Sequence, residues 1–269
     1  MNIGIVGTGN MGGMLAKAFA EVPDHQVFVY NRHPEKSLHL AQSCPSISVL
    51  PSAEAVAQSA EVLFLCTRHD DTVEVMATLL PHLSAHQWVG TTCSSIPLHE
   101  WSDESPATFF KCIPSLTQTV RSGSILFTME PDAPASESCR LANILGGIGM
   151  PVRIREDQLR IYSDLTSCGP AFLSQVLLRW AEAAGDTRHI TPKVAEDMLV
   201  RTLIGTARLL EAGMSLEDIV GHIAVPGGVT ARGLESIGDA SLQLFRRLHE
   251  TTMAHQQKAA TLSVSEPNA

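Results

Sequence analysis

The chain has 269 residues, 44% of them hydrophobic and 17% charged, with a formal net charge of -9. That length and balance suit two modest globular domains with a buried core, and the acidic surplus argues against a nucleic-acid or membrane-surface role. The apolar runs are too short to span a bilayer, and the opening MNIGIVGTGN has neither the basic start nor the long apolar stretch of a secretion signal.

Taken in chain order, the first half alternates strand and helix. NIGIV (2–6) reads as a strand ending in glycines, and MGGMLAKAFAEV follows with Met11, Met14, Leu15, Ala18, Phe19 and Val22 at helical spacing. QVFVYNR (26–32) is the next strand, and PEKSLHLAQSC a helix with Pro34 at its first position. SISVL, AEVLFLCT (60–67), QWVGTT, ATFFKCI, GSILFTM (123–129) and PVRI read as further strands. SAEAVAQSA, DDTVEVMATLLPHL and ASESCRLANILGGIG read as the helices among them. Repeated alternation of this kind predicts a Rossmann-like, doubly wound, mostly parallel sheet over residues 1–155.

From about residue 156 the pattern is helical throughout, which predicts a second, all-α domain over 156–269. GPAFLSQVLLRWAEAAG begins near Pro170, with Phe172, Val176, Leu177 and Trp180 spaced for one face. The next helix has Thr191 as N-cap, Pro192 at its first position and Gly213 as its stop. SLEDIVGHIA opens with a capping box, Ser215 and Asp218. After a Pro-Gly-Gly break, ARGLESIGDASLQLFRRLHETTMAHQQKA is helical again, with an interruption expected near Gly238 and a loose tail over 260–269.

Gly7-Thr8-Gly9-Asn10-Met11-Gly12 is a G-x-G-x-x-G sequence placed after the first strand and opening the first helix, the context in which that pattern signals a dinucleotide site. Gly7 permits the turn, Gly9 lets the backbone approach a pyrophosphate, and Gly12 allows the helix to pack close. The helix N-terminus supplies free N–H groups. At the tip of the second strand, where a carboxylate would grip a ribose 2′-hydroxyl, the chain has Asn31, Arg32 and His33, with Lys36 beyond. A guanidinium suits a 2′-phosphate, so the expected cofactor is NADP, with NAD as the alternative.

Other chemistry is sparser. His82 and His86 have metal-ligand spacing but sit near Pro81 without a third ligand, and no metal site is expected. Asp70 and Asp71 open a predicted helix, where negative charge is favourable without any catalytic role. Cys168 lies at a helix start without a histidine partner. The six cysteines are scattered with no C-x-x-C pair, the pattern of reduced thiols in a cytoplasmic protein.

The break in IAVPGGVTARGL is the remaining signal. A helix interrupted at Pro226 frees main-chain N–H groups at Gly227, Gly228, Val229 and Thr230, at the start of the next helix, where an anion is favoured. Such a turn suits the carboxylate of a small substrate, and the Thr230 hydroxyl, able to donate or accept, is the candidate catalytic group. No compelling acid–base pair accompanies it. Hydride transfer to a cyclic imine needs none, because the nitrogen can arrive protonated and the protein then works by positioning.

At this point the chain resembles the pyrroline-5-carboxylate reductase family, to about residue 250. The likeness rests on GIVGTGNMG, NRHPEK, SAEAVAQSAEVLFLC, TSCGPAFLSQVLLRWAEAAG and IAVPGGVTARGL. IPSLT and TSCGPAF are closer to its competence-operon (ComER-like) paralogues. The resemblance implies a Rossmann domain, a helical domain that interlocks with its twin in a homodimer, and NAD(P)H-dependent reduction of 1-pyrroline-5-carboxylate to L-proline. By position it assigns pyrophosphate to Gly7 through Gly12, the ribose phosphate to Asn31 and Arg32, the cofactor's far side to Ser52, Thr67 and Arg68, and the substrate carboxylate to Gly228, Val229 and Thr230.

There are departures. Thr67-Arg68-His69 stands for the family's V-K-P, and Ile113-Pro114-Ser115 for its M-P-N. Val225 replaces the serine before P-G-G, and His222 stands where asparagine is frequent beside the cofactor. The expectation is an NADP-dependent oxidoreductase acting on a small cyclic imino acid. The alternatives are a non-catalytic NADP-binding regulator and a β-hydroxyacid dehydrogenase. The last is disfavoured because GPAFLSQVLLRWAEAAG lacks the lysine that architecture uses.

Overall fold

The structure, a computed structural model, describes residues 1–131 and 133–264. Its first half runs β1 (Asn2–Val6), α1 (Asn10–Ala20), β2 (Gln26–Tyr30), α2 (Pro34–Ser43), β3 (Ile47–Val49), α3 (Ala53–Ser59), β4 (Val62–Leu65), α4 (His69–Leu79) and β5 (Trp88–Thr91). It continues with α5 (His99–Ser102), β6 (Thr108–Ile113), β7 (Ser124–Met129), α6 (Ala135–Gly146), β8 (Met150–Arg153) and α7 (Leu159–Leu165). The strands form one eight-stranded sheet in the order β3-β2-β1-β4-β5-β6-β7-β8. Every neighbouring pair is parallel except β6 and β7.

The reversal at β7 has a chain-length cause. A parallel crossover needs a dozen or more residues to return to the starting edge. Only residues 114–123 separate β6 from β7, and half of them form a 3-10 turn, Leu116–Val120. Between β7 and β8 the chain has room for α6, and the pairing is parallel again.

Alternation along the strands sorts the core into two layers, one on each face of the sheet. On β4, Val62 and Phe64 join Phe19 of α1, Phe110 and Leu141, while Leu63 and Leu65 join Val56 of α3, Met76 and Leu79 of α4 and Phe109. The Phe64 ring meets Phe110 edge-on at 5.5 Å between centroids. Each such ring contributes roughly 1.5–3 kcal/mol by burial. This sandwich fixes the carboxyl ends of β1, β2 and β4, where the loops of interest begin.

The helical half comprises α8 (Gly169–Asp186), α9 (Pro192–Glu211), α10 (Leu216–Ile223) and α11 (Val229–Val264). Thr191 caps α9 through its hydroxyl, and Ser215 and Asp218 close the capping box of α10. α11 is unbroken at Gly238, contrary to the expected interruption: a single glycine costs a helix only about 1 kcal/mol. It is helical over 260–264, where a tail is expected, and the rest of that tail, 265–269, lies outside the described residues.

The chain divides into two compact units, Met1–Gly169 with the chain's end from Gln256, and Pro170–His255. The switch to helical patterning near 155 therefore precedes the change of unit. Residues 156–169 belong with the sheet, because Leu159 and Tyr162 of α7 pack with Leu126 and Ile154. No helix among the described residues is long and apolar enough to cross a membrane.

Candidate active site

The turn after β1 is shaped by what side chains cannot fit there. Gly7 has a φ of +93°, and a Cβ on it would lie 2.8 Å from the Cys66 carbonyl oxygen; a Cβ on Gly12 would lie 1.8 Å from the carbonyl oxygen of Gly7. Gly9 is different: the space beside its Cα is empty to 4 Å, which leaves room for a phosphate to reach the backbone. Gly9 also caps α1 without any side-chain bond. Among the described residues, no protein acceptor meets the N–H groups of Gly9, Asn10, Met11 or Gly12, so they remain as donors at the positive end of α1.

The loop is tied to β2 from below. Gly7 N–H donates to the Tyr30 carbonyl at 2.8 Å, and Thr8 N–H donates to Asn31 Oδ1 at 3.0 Å. The Thr8 hydroxyl meets Ser37 inside the protein, so Thr8 and Asn31 hold the loop's shape. In front of the loop opens a cavity of about 870 Å³. Of the residues expected to bind cofactor, Gly7, Gly9, Asn10, Met11, Asn31, Arg32, Thr67 and Arg68 line it. Thr8, Gly12 and Ser52 do not. Thr8 and Gly12 are buried beneath the loop, and the Ser52 hydroxyl accepts from Ala55 N–H as the cap of α3. The next residues, Ala53 and Glu54, line the cavity instead.

One end of the cavity is bounded by the β2 loop and by the α4 face that carries Asp71, Glu74, Val75 and Thr78. Arg32 and Lys36 supply its cations, with His33 beside them. Arg32 Nη1 donates to Asp71 Oδ1 at 2.9 Å. Asp71 is a site residue that sequence reasoning missed. Its charge at the start of a helix already had a sufficient explanation, and its partner lies 39 positions away.

At the other end, Cys66, Thr67, Arg68 and Thr92 line the cavity. Burial pushes the Cys66 thiol up to about 12, with the Thr92 hydroxyl pulling the other way, so it stays a neutral thiol. Thr67 and Thr72 share a hydroxyl contact at 2.7 Å that fixes the entry to α4. His69 Nδ1 lies 2.8 Å from Ser95 Oγ, joining the start of α4 to the loop that follows β5. Below them, Lys111 of β6 is 1% exposed; its ammonium donates to the Ser94 carbonyl and pairs with Glu156. This lysine fixes the β5 loop from inside the unit, and neither motif nor periodicity marks it in the sequence.

In the helical unit, the break at Pro226 separates α10 from α11. Gly227 has a φ of +74°, and a Cβ on Gly228 would fall 2.8 Å from Val225 Cγ2. Gly228 N–H is not a bare donor: it closes the turn on the Val225 carbonyl at 3.0 Å. Among the described residues, the N–H groups of Gly227, Val229 and Thr230 meet no acceptor, and Val229 is 90% exposed. The turn therefore presents three donors rather than the four expected. His222 is committed by its Nδ1 to the Asp218 carbonyl at 2.7 Å.

A doubly wound sheet whose first glycine turn aims helix donors into a cleft at the strand-order reversal defines a dinucleotide-binding oxidoreductase unit. Comparison with known proteins agrees. Residues 2–91 match the family described as NADP oxidoreductase, coenzyme F420-dependent, and residues 156–261 match pyrroline-5-carboxylate reductase dimerisation. ComE operon protein 4 of Bacillus subtilis (strain 168) is 29% identical, over 94% of this chain and 94% of its own. Pyrroline-5-carboxylate reductase 3 of the same organism is 26% identical, over 93% and 94%.

Among solved structures, a pyrroline-5-carboxylate reductase from Coxiella burnetii superposes with a TM-score of 0.79 at 20% identity, covering 99% of each chain. The Plasmodium falciparum pyrroline carboxylate reductase with NADP bound gives 0.77 at 18%, covering 97% of each. The chain is thus similar to pyrroline-5-carboxylate reductases along nearly its whole length.

Proposed function

We propose that this protein is an NADPH-dependent imine reductase that transfers hydride to the C=N bond of a small cyclic imino acid of the 1-pyrroline-5-carboxylate type. When bound, the nicotinamide supplies the hydride. The chain's residues supply position: the α1 donors and Gly9 hold the pyrophosphate, Arg32 with His33 and Lys36 holds the 2′-phosphate, and Thr67 and Arg68 border the far half of the cleft. Gly227, Val229 and Thr230 hold the substrate carboxylate through main-chain N–H groups, with the Thr230 hydroxyl beside them. The observation that carries this reading is that exposed turn, open to an anion and lying within the stretch that matches the family.

Reduction of a protonated imine neutralises the nitrogen, so the missing acid–base pair is no obstacle. The active form is a homodimer built on the helical unit, whose apolar side chains are largely uncovered. The test is the loss of nicotinamide absorbance when NADPH and pyrroline-5-carboxylate are mixed with the protein. Enzyme-dependent loss supports the reading, and its absence across a panel of cyclic imines contradicts it. A second reading, a regulator that binds NADP without turnover, draws on Val225, which removes a hydroxyl from the turn. Tight NADP binding without turnover on that panel is its signature.

A further inference from the structure

We propose that Asp71 sets the cofactor discrimination of the cleft, by competing with the cofactor's 2′-phosphate for the guanidinium of Arg32. The inference rests on the reading above that Arg32 meets that phosphate. Arg32 follows β2 and Asp71 belongs to the first turn of α4, so their ion pair links elements on opposite sides of β1. Both residues line the same cavity. With Val75 and Thr78 on the same face of α4, the pair closes over the end of the cleft that the β2 loop borders, where the adenosine half of a dinucleotide lies in this fold.

A single contact, Nη1 to Oδ1 at 2.9 Å, makes the bridge, and the two side chains are 69% and 33% exposed. A pair so wet is weak and easily exchanged. A phosphate arriving at the guanidinium would face the Asp71 carboxylate within a Debye length, and that repulsion opposes its binding. An adenosine without the 2′-phosphate leaves the pair intact. Asp71 therefore holds back the advantage that Arg32 gives to NADP and keeps NAD usable. Glu74 lines the cavity on the same helix without a contact to Arg32, so it provides the control for charge alone.

The experiment is calorimetric titration of the full chain with adenosine 2′,5′-bisphosphate and with 5′-AMP. The proteins are wild type, Asp71→Asn, Glu74→Gln and Arg32→Ala. Asp71→Asn keeps an acceptor for Arg32 and removes only the charge. It should bind the bisphosphate roughly three- to five-fold tighter and leave 5′-AMP within about two-fold, with a smaller gain in Glu74→Gln. Arg32→Ala should lose affinity for the bisphosphate alone. Unchanged or weaker bisphosphate binding in Asp71→Asn, or an equal gain in Glu74→Gln, overturns the competition while leaving the role of Arg32 intact. If Arg32→Ala binds both probes as wild type does, the phosphate assignment of Arg32 itself fails.

Discussion

In the sheet unit, Phe19, Phe64 and Phe110 are fully buried, and a cluster lies on each face of the strands. In the unit Pro170–His255, the buried hydrophobic residues among those described are Ala181 and Ala195 alone, while Trp180, Met198, Ile204 and Phe245 stand substantially exposed. One unit satisfies its own apolar surface and the other does not. Uncovered apolar side chains in such number call for a partner, and the dimerisation match falls on those helices. The two glycine turns follow the same division. The turn at 7–12 is shaped by packing inside a finished core, and the turn at 226–228 by φ and exposure at the end of a short helix.

The largest effect should come from Gly12→Ala, whose Cβ would fall 1.8 Å from a backbone oxygen. A cost of at least about 3 kcal/mol in urea unfolding and loss of NADP binding are expected, since backbone cannot move aside as a side chain can. Next, Leu203→Asp with Ile204→Asp should convert the proposed homodimer to monomer by light scattering and leave NADP binding measurable. A dimer that survives would break the contrast between the units.

Lys111→Met should cost about 2 kcal/mol in denaturation, less than a fully buried ion pair because Glu156 is half exposed and can be re-solvated. Gly228→Ala should raise the KM for substrate by about ten-fold with the KM for NADPH unchanged, because the added methyl presses on Val225 and reshapes the donors. Thr230→Ala, which leaves the main-chain donors in place, should raise substrate KM only about three- to five-fold. Equal losses for cofactor and substrate in either variant would argue against a substrate role for this turn.

Much of the sheet unit is legible in the sequence because parallel strands buried on both faces appear as apolar runs, and helices between them repeat at 3.6 residues. NIGIV, VLFL and SILFTM lie in β1, β4 and β7 for that reason. The direction of β7 is not legible, since it follows from how little chain separates it from β6. Caps such as Thr191 and Ser215 can be read locally because their bonds span three residues.

The candidate site divides in the same manner. The glycine loop and the Pro226 break are local and announce themselves. Asp71 and Lys111 are settled by tertiary contacts: Asp71 reaches Arg32 across 39 positions and Lys111 reaches Glu156 across 45, whereas Ser52 is spent on a local cap, its hydroxyl accepting from Ala55 N–H three residues on. The residue pattern presents Gly228 as a bare donor; the hydrogen bond by which it closes the turn depends on backbone angles that the pattern does not carry.

The proposed clasp of a carboxylate rests on the main-chain donors of Gly227, Val229 and Thr230. It is tested most directly by titrating the NADP-loaded protein with L-proline and with L-prolinamide, which share a ring and differ at that group. The account predicts that L-proline binds and that the amide binds at least about ten-fold more weakly, the loss expected for charge-assisted hydrogen bonds. Equal affinity for the two would contradict it.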